Sequence, residues 1–222
     1  MKRAVIFIFV TFFSLNGFVY SQIMQNSDSI KNCKKAEYLN EDISKYLQKN
    51  IKYPISSLQN NIQGDVLLSF VISKEGKLHS LKVVSSPDIS LSTSSIVSLN
   101  DLSNEWSPCK IAGKPVDKEY LIVFRYRIYI NTQPYDYNER VDKLIKKQKI
   151  EKALKHINSA IKENLYNFKF YDTRSSIKNM LGDTDGSMKD SEQSKRLQNE
   201  IITVVDVVAI GITRVETRTY RR

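Results

Sequence analysis

Apolar residues recur at every fourth position at Leu39, Ile43, Leu47 and Ile51. That step predicts one buried stripe on a helix. Asn40-Glu41-Asp42 at its start suits the positive helix end, and Tyr53-Pro54 stops it, because proline cannot continue the hydrogen-bond ladder. The period then changes. In "GDVLLSFVISKEGKLHSLKVVSS", Val66, Leu68, Phe70 and Ile72 alternate with Leu67, Ser69, Val71 and Ser73. Period two predicts a strand with one apolar face and one mixed face. Ser73-Lys74-Glu75-Gly76-Lys77 makes a turn in which Gly76 is free to take positive φ, and Leu78 to Ser85 returns as a second strand. Pro87-Asp88 breaks the sheet. Ile89 to Asn104 has helical spacing, with Ile96, Leu99 and Leu102 as its stripe, and Trp106-Ser107-Pro108 ends it. After a turn signal at Gly113-Lys114-Pro115 comes the clearest strand. Tyr120, Ile122, Phe124, Tyr126, Ile128 and Ile130 lie on one side, and Leu121, Val123, Arg125, Arg127 and Tyr129 on the other.

Residues 38–131 thus predict an α+β domain: helix, hairpin, helix, long strand, with a three-stranded antiparallel sheet covered on one face by two helices. From Tyr137 the pattern is helical, and residues 137–199 predict helical hairpins. Ala153-Leu154 and Ala160 recur as Ser187-Met188 and Ser194, 34 residues on, with Lys149 and Asp183 each just ahead of a second helix. Small residues at these places let paired helices approach closely. Two ordinary hairpins with a chance likeness are the alternative. Two units are too few for a free-standing solenoid, so they must lean on something. Residues 200–222 are read as a capping helix, Ile201 to Ile212, and a basic tail. That apolar run is too short to span a membrane.

The N-terminus has a different character. Lys2 and Arg3 precede the apolar run Ala4 to Leu15, and Val19-Tyr20-Ser21 ends in a small residue. This is the layout of a secretory signal peptide over residues 1–21, followed by a flexible segment at 22–37. Export places the chain in the periplasm. The alternative is an uncleaved inner-membrane anchor through residues 4–20. The 222-residue chain carries a formal charge of +10. Export argues against nucleic acid as the partner; an anionic surface or acidic partner fits, as does a plain lysine-rich surface. Cys33 and Cys109 suit a disulfide in an exported protein. Joined, they would close a loop of roughly 75 residues and add about 4 kcal/mol; two buried thiols are the alternative. His79 and His156 stand far apart with no cysteine beside either, so no metal site and no cofactor is expected. Asp183 and Asp185 lack the distal glutamate of a calcium loop and are read as a helix-connecting turn. No Gly-x-Ser-x-Gly stretch or His-Glu helix appears, and an enzyme is not expected.

Four stretches together resemble the C-terminal domain of TonB-family energy transducers, in the form found in Bacteroidetes-type bacteria. They are "YLQKNIKYP" (Tyr46 to Pro54), "NIQGDVLLSFVISKEGKL" (Asn61 to Leu78), "VVSSPD" (Val83 to Asp88) and "WSPCKIAGKPVDKEYLIVFRY" (Trp106 to Tyr126). The tail resembles tetratricopeptide repeats in "ALKHINSAIKENLYNFKFYDTR" and "LGDTDGSMKD", with Asn164-Leu165 where a repeat commonly ends in proline. The first resemblance implies a domain that grips an extended segment of an outer-membrane receptor by strand addition. The expected seat is the edge of the long strand at Leu121, Val123, Arg125, Arg127 and Tyr129. There a guest would satisfy unpaired backbone groups. Arg125 and Arg127 either guard that edge and meet acidic partner residues or form a solvent face. The expected partners are outer-membrane receptors or other envelope proteins. Membrane association is permitted but not required, and the sequence leaves the oligomeric state open. A full transducer has a membrane helix and a long proline-rich spacer; no proline lies between residues 22 and 53 here. The preferred reading is a periplasmic binding module. The alternatives are an anchored energy transducer and a helical-repeat scaffold.

Overall fold

The computed structural model describes residues 33, 35–39, 42–100, 102, 106–130 and 136–211. The expected signal peptide, most of the segment at 22–37 and the basic tail lie outside them. A short strand β1 (Glu37–Tyr38) leads to α1 (Ile43–Asn50), where Asp42 caps the helix by accepting from the Lys45 amide at 3.0 Å. Leu47 is fully buried on its inner face, while Leu39 lies outside the helix and is exposed. Pro54, in extended backbone, opens α2 (Ile55–Gln59), a five-residue helix that the periodicity does not signal.

The hairpin follows as expected, with β2 (Gly64–Ile72) and β3 (Leu78–Ser85). Its turn closes through Gly76 N–H to the Ser73 carbonyl, 2.9 Å, with Gly76 at φ +76°. A Cβ at Gly76 would collide with the Trp106 carbonyl oxygen, so both the dihedral and the close approach require glycine. Next come α3 (Ile89–Asn100), the short β4 (Trp106–Ser107), β5 (Lys110–Ile111) and β6 (Lys114–Pro115), and the long β7 (Lys118–Ile130). β4 pairs with β1, and β5 with β6. β2 pairs antiparallel with β7 from Gly64↔Tyr126 to Ile72↔Lys118 without a shift.

One face of the sheet forms the core. Val66, Leu68, Phe70, Ile72, Ile122, Phe124 and Tyr126 are all fully buried there against Leu47 of α1 and Leu91 and Leu99 of α3. The buried polar ends are satisfied. Tyr126 Oη donates to the Leu91 carbonyl at 3.2 Å, and Trp106 Nε1 donates to the Leu102 carbonyl at 2.9 Å.

The tail supplies four helices: α4 (Tyr137–Lys146), α5 (Ile150–Glu163), α6 (Phe168–Met180) and α7 (Thr184–Glu200). Lys149 and Asp183 are the N-caps of α5 and α7. Ala153, Ala160 and Ser194 are fully buried, as close helix approach demands, but Met188 is 59% exposed, so the two pairs are not packed alike throughout.

The expected capping helix at Ile201–Ile212 is instead a strand, β8 (Ile201–Gly211). It follows α7 with no loop and pairs parallel with β7, from Val123↔Val204 to Ile130↔Gly211. The main sheet therefore has four strands in the order β3-β2-β7-β8, and is mixed where three antiparallel strands were expected. Parallel neighbours cannot be joined by a tight turn and need a crossover. Helices α4 to α7 are that crossover.

Candidate protein-binding edge

β7 is not an edge. Leu121, Val123, Arg125, Arg127 and Tyr129, the expected seat for a guest chain, belong to a strand paired with β2 on one side and β8 on the other. The expectation is corrected because the chain supplies its own fourth strand: Leu121 pairs with Ile201, Val123 with Val204, and Arg125 with Asp206.

Arg125 and Arg127 point to the sheet's second face and are largely buried, with side chains 12% and 21% exposed. Arg125 Nη1 contacts Asp206 Oδ1 at 2.8 Å, and Arg127 Nη2 contacts Asp65 Oδ1 at 2.6 Å. Both guanidiniums also donate to the Glu163 carbonyl, at 3.0 and 3.3 Å. That carbonyl is at the C-terminal, negative end of α5, where cations are stabilising. The two arginines thus fasten the crossover to the sheet. Tyr129 lines the cavity beside them with Phe170 and Val208.

The outermost strands of the sheet are β3 and β8, and their chemistry differs. β3 pairs with β2 through two register shifts, and Ser80 within it has φ +56°. Bulges and lysines (Lys77 and Lys82 here) blunt an edge against pairing. β8 runs unshifted from Val204 to Gly211. Its core face holds Val205 and Val207, 0% and 5% exposed, while Val208 and Ile210 are 41% and 56% exposed.

Only the start of β8 is irregular. Between the pairs Leu121–Ile201 and Val123–Val204 it carries one extra residue, a β-bulge. Lys35 covers it, donating from Nζ to the Ile201 and Ile202 carbonyls at 2.9 and 3.2 Å. Burial, with the neighbouring charge of Lys118, lowers the Lys35 pKa against the opposing pull of Glu37.

Cys33 and Cys109 are buried and disulfide-bonded. Asp183 spends its Oδ1 on the Gly186 amide, 2.9 Å, as the helix cap. Among the described residues no group of three or more histidine, cysteine or carboxylate side chains could hold a metal, and no helix is long and apolar enough to cross a membrane.

Residues 49–128 match the family model of the Gram-negative bacterial TonB protein C-terminal. That segment is a TonB C-terminal domain. Neither a curated protein nor a solved structure matches the chain. The matched segment spans 80 of the chain's 222 residues. It stops two residues short of the end of β7, so the crossover and β8 lie outside it. A partner for the β7 edge was therefore not to be found in the family motifs. The signal was in the run itself: Ile201 to Val205 are all β-branched, as are Val207, Val208 and Ile210, and such residues favour strands over helices.

Proposed function

We propose that the protein is a non-enzymatic binding module of the envelope that takes an extended segment of another envelope protein, an outer-membrane receptor being the leading candidate, by strand addition. The seat is the outer edge of β8 beyond its bulge, from Val204 to Gly211. The observation that carries this reading is the contrast between the two outer strands: β3 is bulged and lysine-bearing, whereas β8 is unshifted from Val204 to Gly211 and apolar there except for Asp206, which Arg125 engages. Exchange of the guest for β8 is the other route, and the magnitudes disfavour it. β8 buries Ile201, Ile202, Val205 and Val207. At about 1.5–3 kcal/mol each, their burial contributes about 6–12 kcal/mol. A guest must replace all of that and also compete with a tethered strand, whose effective concentration is about millimolar. Addition outside β8 breaks nothing. The N-terminal pattern of residues 1–21 supports a periplasmic setting, with an inner-membrane anchor as its alternative.

The test is backbone amide exchange of the full chain with a tiled set of peptides from outer-membrane receptors. A binding peptide should slow exchange within Val204–Gly211. Substituting both Val208→Lys and Ile210→Lys should abolish that protection while leaving stability within about 0.5 kcal/mol, since both side chains are exposed. Protection that appears along β3 instead, or that survives both lysines unchanged, would refute the assignment of the edge.

A further inference from the structure

The start of β8 is closed by a separate piece of chain. Cys33 is disulfide-bonded to Cys109, and Lys35, two residues on, donates to the Ile201 and Ile202 carbonyls at 2.9 and 3.2 Å. The Ala36 amide donates to Tyr120 Oη at 2.9 Å, and Tyr38 stands edge-on to the Trp106 ring with centroids 5.5 Å apart. Lys35, Ile202 and Thr203 border two cavities, one walled by Ile43 and Trp106 and the other by Tyr166 and Phe168. A side chain that reaches both faces of the sheet stands at its edge. The arm thus lies against the edge of β8 where the ladder with β7 is irregular.

The arm's own pairing is a weak hold. β1 and β4 meet over only two residue pairs, Glu37↔Ser107 and Tyr38↔Trp106, and a ribbon that short is not stable by itself. Lys35 works against closure: burial and the like charge of Lys118 both disfavour its ammonium, against the pull of Glu37. Ordering the arm also costs conformational entropy. The disulfide offsets these terms from a fixed base, because Cys109 is fully buried and its carbonyl accepts from the Val116 amide at 2.9 Å. We propose that the Cys33–Cys109 disulfide is a redox latch, which keeps the arm closed over the start of β8 and whose reduction releases the arm while the sheet stays folded. The arm gives the core Ala36 and part of Tyr38, whereas β2, β7, α1 and α3 supply the bulk, so its release leaves the sheet standing.

Opening is a thiol–disulfide exchange. A dithiol attacks the Cys33 sulfur, 8% exposed against 0% for Cys109, and Cys109 leaves as a thiolate that takes up a proton. The second thiol of the reagent then closes on the mixed disulfide. The protein gains two electrons and two protons, and the reagent departs as a cyclic disulfide. Closing runs in reverse with a disulfide-carrying oxidant, which an exported chain meets. On the periplasmic reading the latch therefore shuts after export.

The experiment compares the oxidised full chain, the same chain in dithiothreitol, and the chain carrying both Cys33→Ala and Cys109→Ala. Trp106 is the only tryptophan and is 3% exposed against Tyr38, so its emission reports the arm. Reduction and the double substitution should each shift that emission to the red. Each should also speed amide exchange at Ala36 and across Ile201–Thr203 about tenfold or more, as local opening does, with the protection of β2 and β7 unchanged. Lys35→Met in the oxidised chain should speed exchange across Ile201–Thr203 alone and leave the Trp106 emission as it was, which separates the ammonium from the latch. Unchanged emission and exchange in both disulfide-free forms would overturn the proposal, because β1 alone would then hold the arm. Loss of protection throughout β2 and β7 would overturn it too, making the disulfide a staple of the whole fold. Peptide protection of Val204–Gly211 is a separate readout, so the latch and strand addition fail independently.

Discussion

Truncation after Glu200, which removes β8, separates a strand built into the core from one merely resting on it. Four side chains leave the interior: Ile201, Ile202, Val205 and Val207. Their burial is worth about 6–12 kcal/mol at about 1.5–3 kcal/mol each. The figure is an upper value, because an unfolded chain already shields part of its apolar surface. Domains of this kind have about 5–15 kcal/mol in all. Further losses add to the deficit. Lys35 loses both carbonyl acceptors, Arg125 loses Asp206, and β7 loses its ladder from Val123 to Ile130. The truncated chain should therefore show no cooperative unfolding transition in urea followed by circular dichroism. A finer probe is Val205→Ala at a fully buried position. Two methylenes' worth of transfer energy at about 0.8 kcal/mol each, plus a small cavity, predict a loss of about 2 kcal/mol. The midpoint should fall while the slope stays unchanged, the mark of altered stability at constant exposed surface. If the truncated chain unfolds with the midpoint and slope of the full chain, β8 is peripheral. The β7 edge would then be available to a partner after all.

The crossover has its own fastening. Asp190, 4% exposed, accepts from Arg174 Nε at 2.8 Å and Nη2 at 2.6 Å and contacts Lys178 Nζ at 2.9 Å. Asp190→Leu should cost about 3 kcal/mol, measured by urea denaturation, because it leaves two cations without their counter-ion. Burial alone would raise the Asp190 pKa, but the hydrogen bonds and charges of Arg174 and Lys178 outweigh it and hold the carboxyl below the usual carboxylate range. The stability this provides is fully present above the unfolded value of about 3.9 and is lost as pH falls through the folded one. Wild type should therefore lose stability below about pH 4 and Asp190→Leu should lose less; parallel curves would refute the pairing. At the hairpin, Gly76→Ala meets both a left-handed dihedral and the Trp106 carbonyl. A loss of about 1–3 kcal/mol is expected in thermal denaturation, with Gly113→Ala, where φ is +80° but nothing lies near the added Cβ, losing less.

Elements with a clear period were legible in the sequence. β2 and β7 each keep one wholly apolar face at period two, and α1 carries its stripe through Ile43 and Leu47, so helix, hairpin, helix and long strand appear in the expected order. The five-residue α2 is too short to show a period. β8 was misread for a physical reason. An unbroken apolar run has neither period two nor period 3.6, so periodicity cannot separate a buried strand from a buried helix. Composition was the arbiter, and β-branched residues from Ile201 to Val205 favoured the strand. The site was misplaced through the same run. Arg125 and Arg127 read as an edge guard only while β7 has an empty side, and their acidic partners, Asp206 and Asp65, are 81 and 62 residues away in the chain. Non-local pairing of that kind leaves no mark in a local pattern.

This displacement of the edge changes what the family match implies. Residues 49–128 supply three strands of the main sheet, and a chain made of those alone would present β7 to a partner. Here the tail returns through four helices to fill that place with β8. Any strand added to this end of the sheet must meet residues outside the matched segment, Val204 to Gly211. Main-chain pairing is indifferent to sequence, so choice of partner falls to side chains beside the edge. Of those, Tyr166, Phe168 and Lys169 belong to the crossover, and Trp106 and Ile43 stand on the core face. On the proposed reading the helical tail is part of the binding surface, because it places β8 and walls one side of it. A helical scaffold separable from the sheet does not fit this geometry, because cutting the tail away removes the edge along with it.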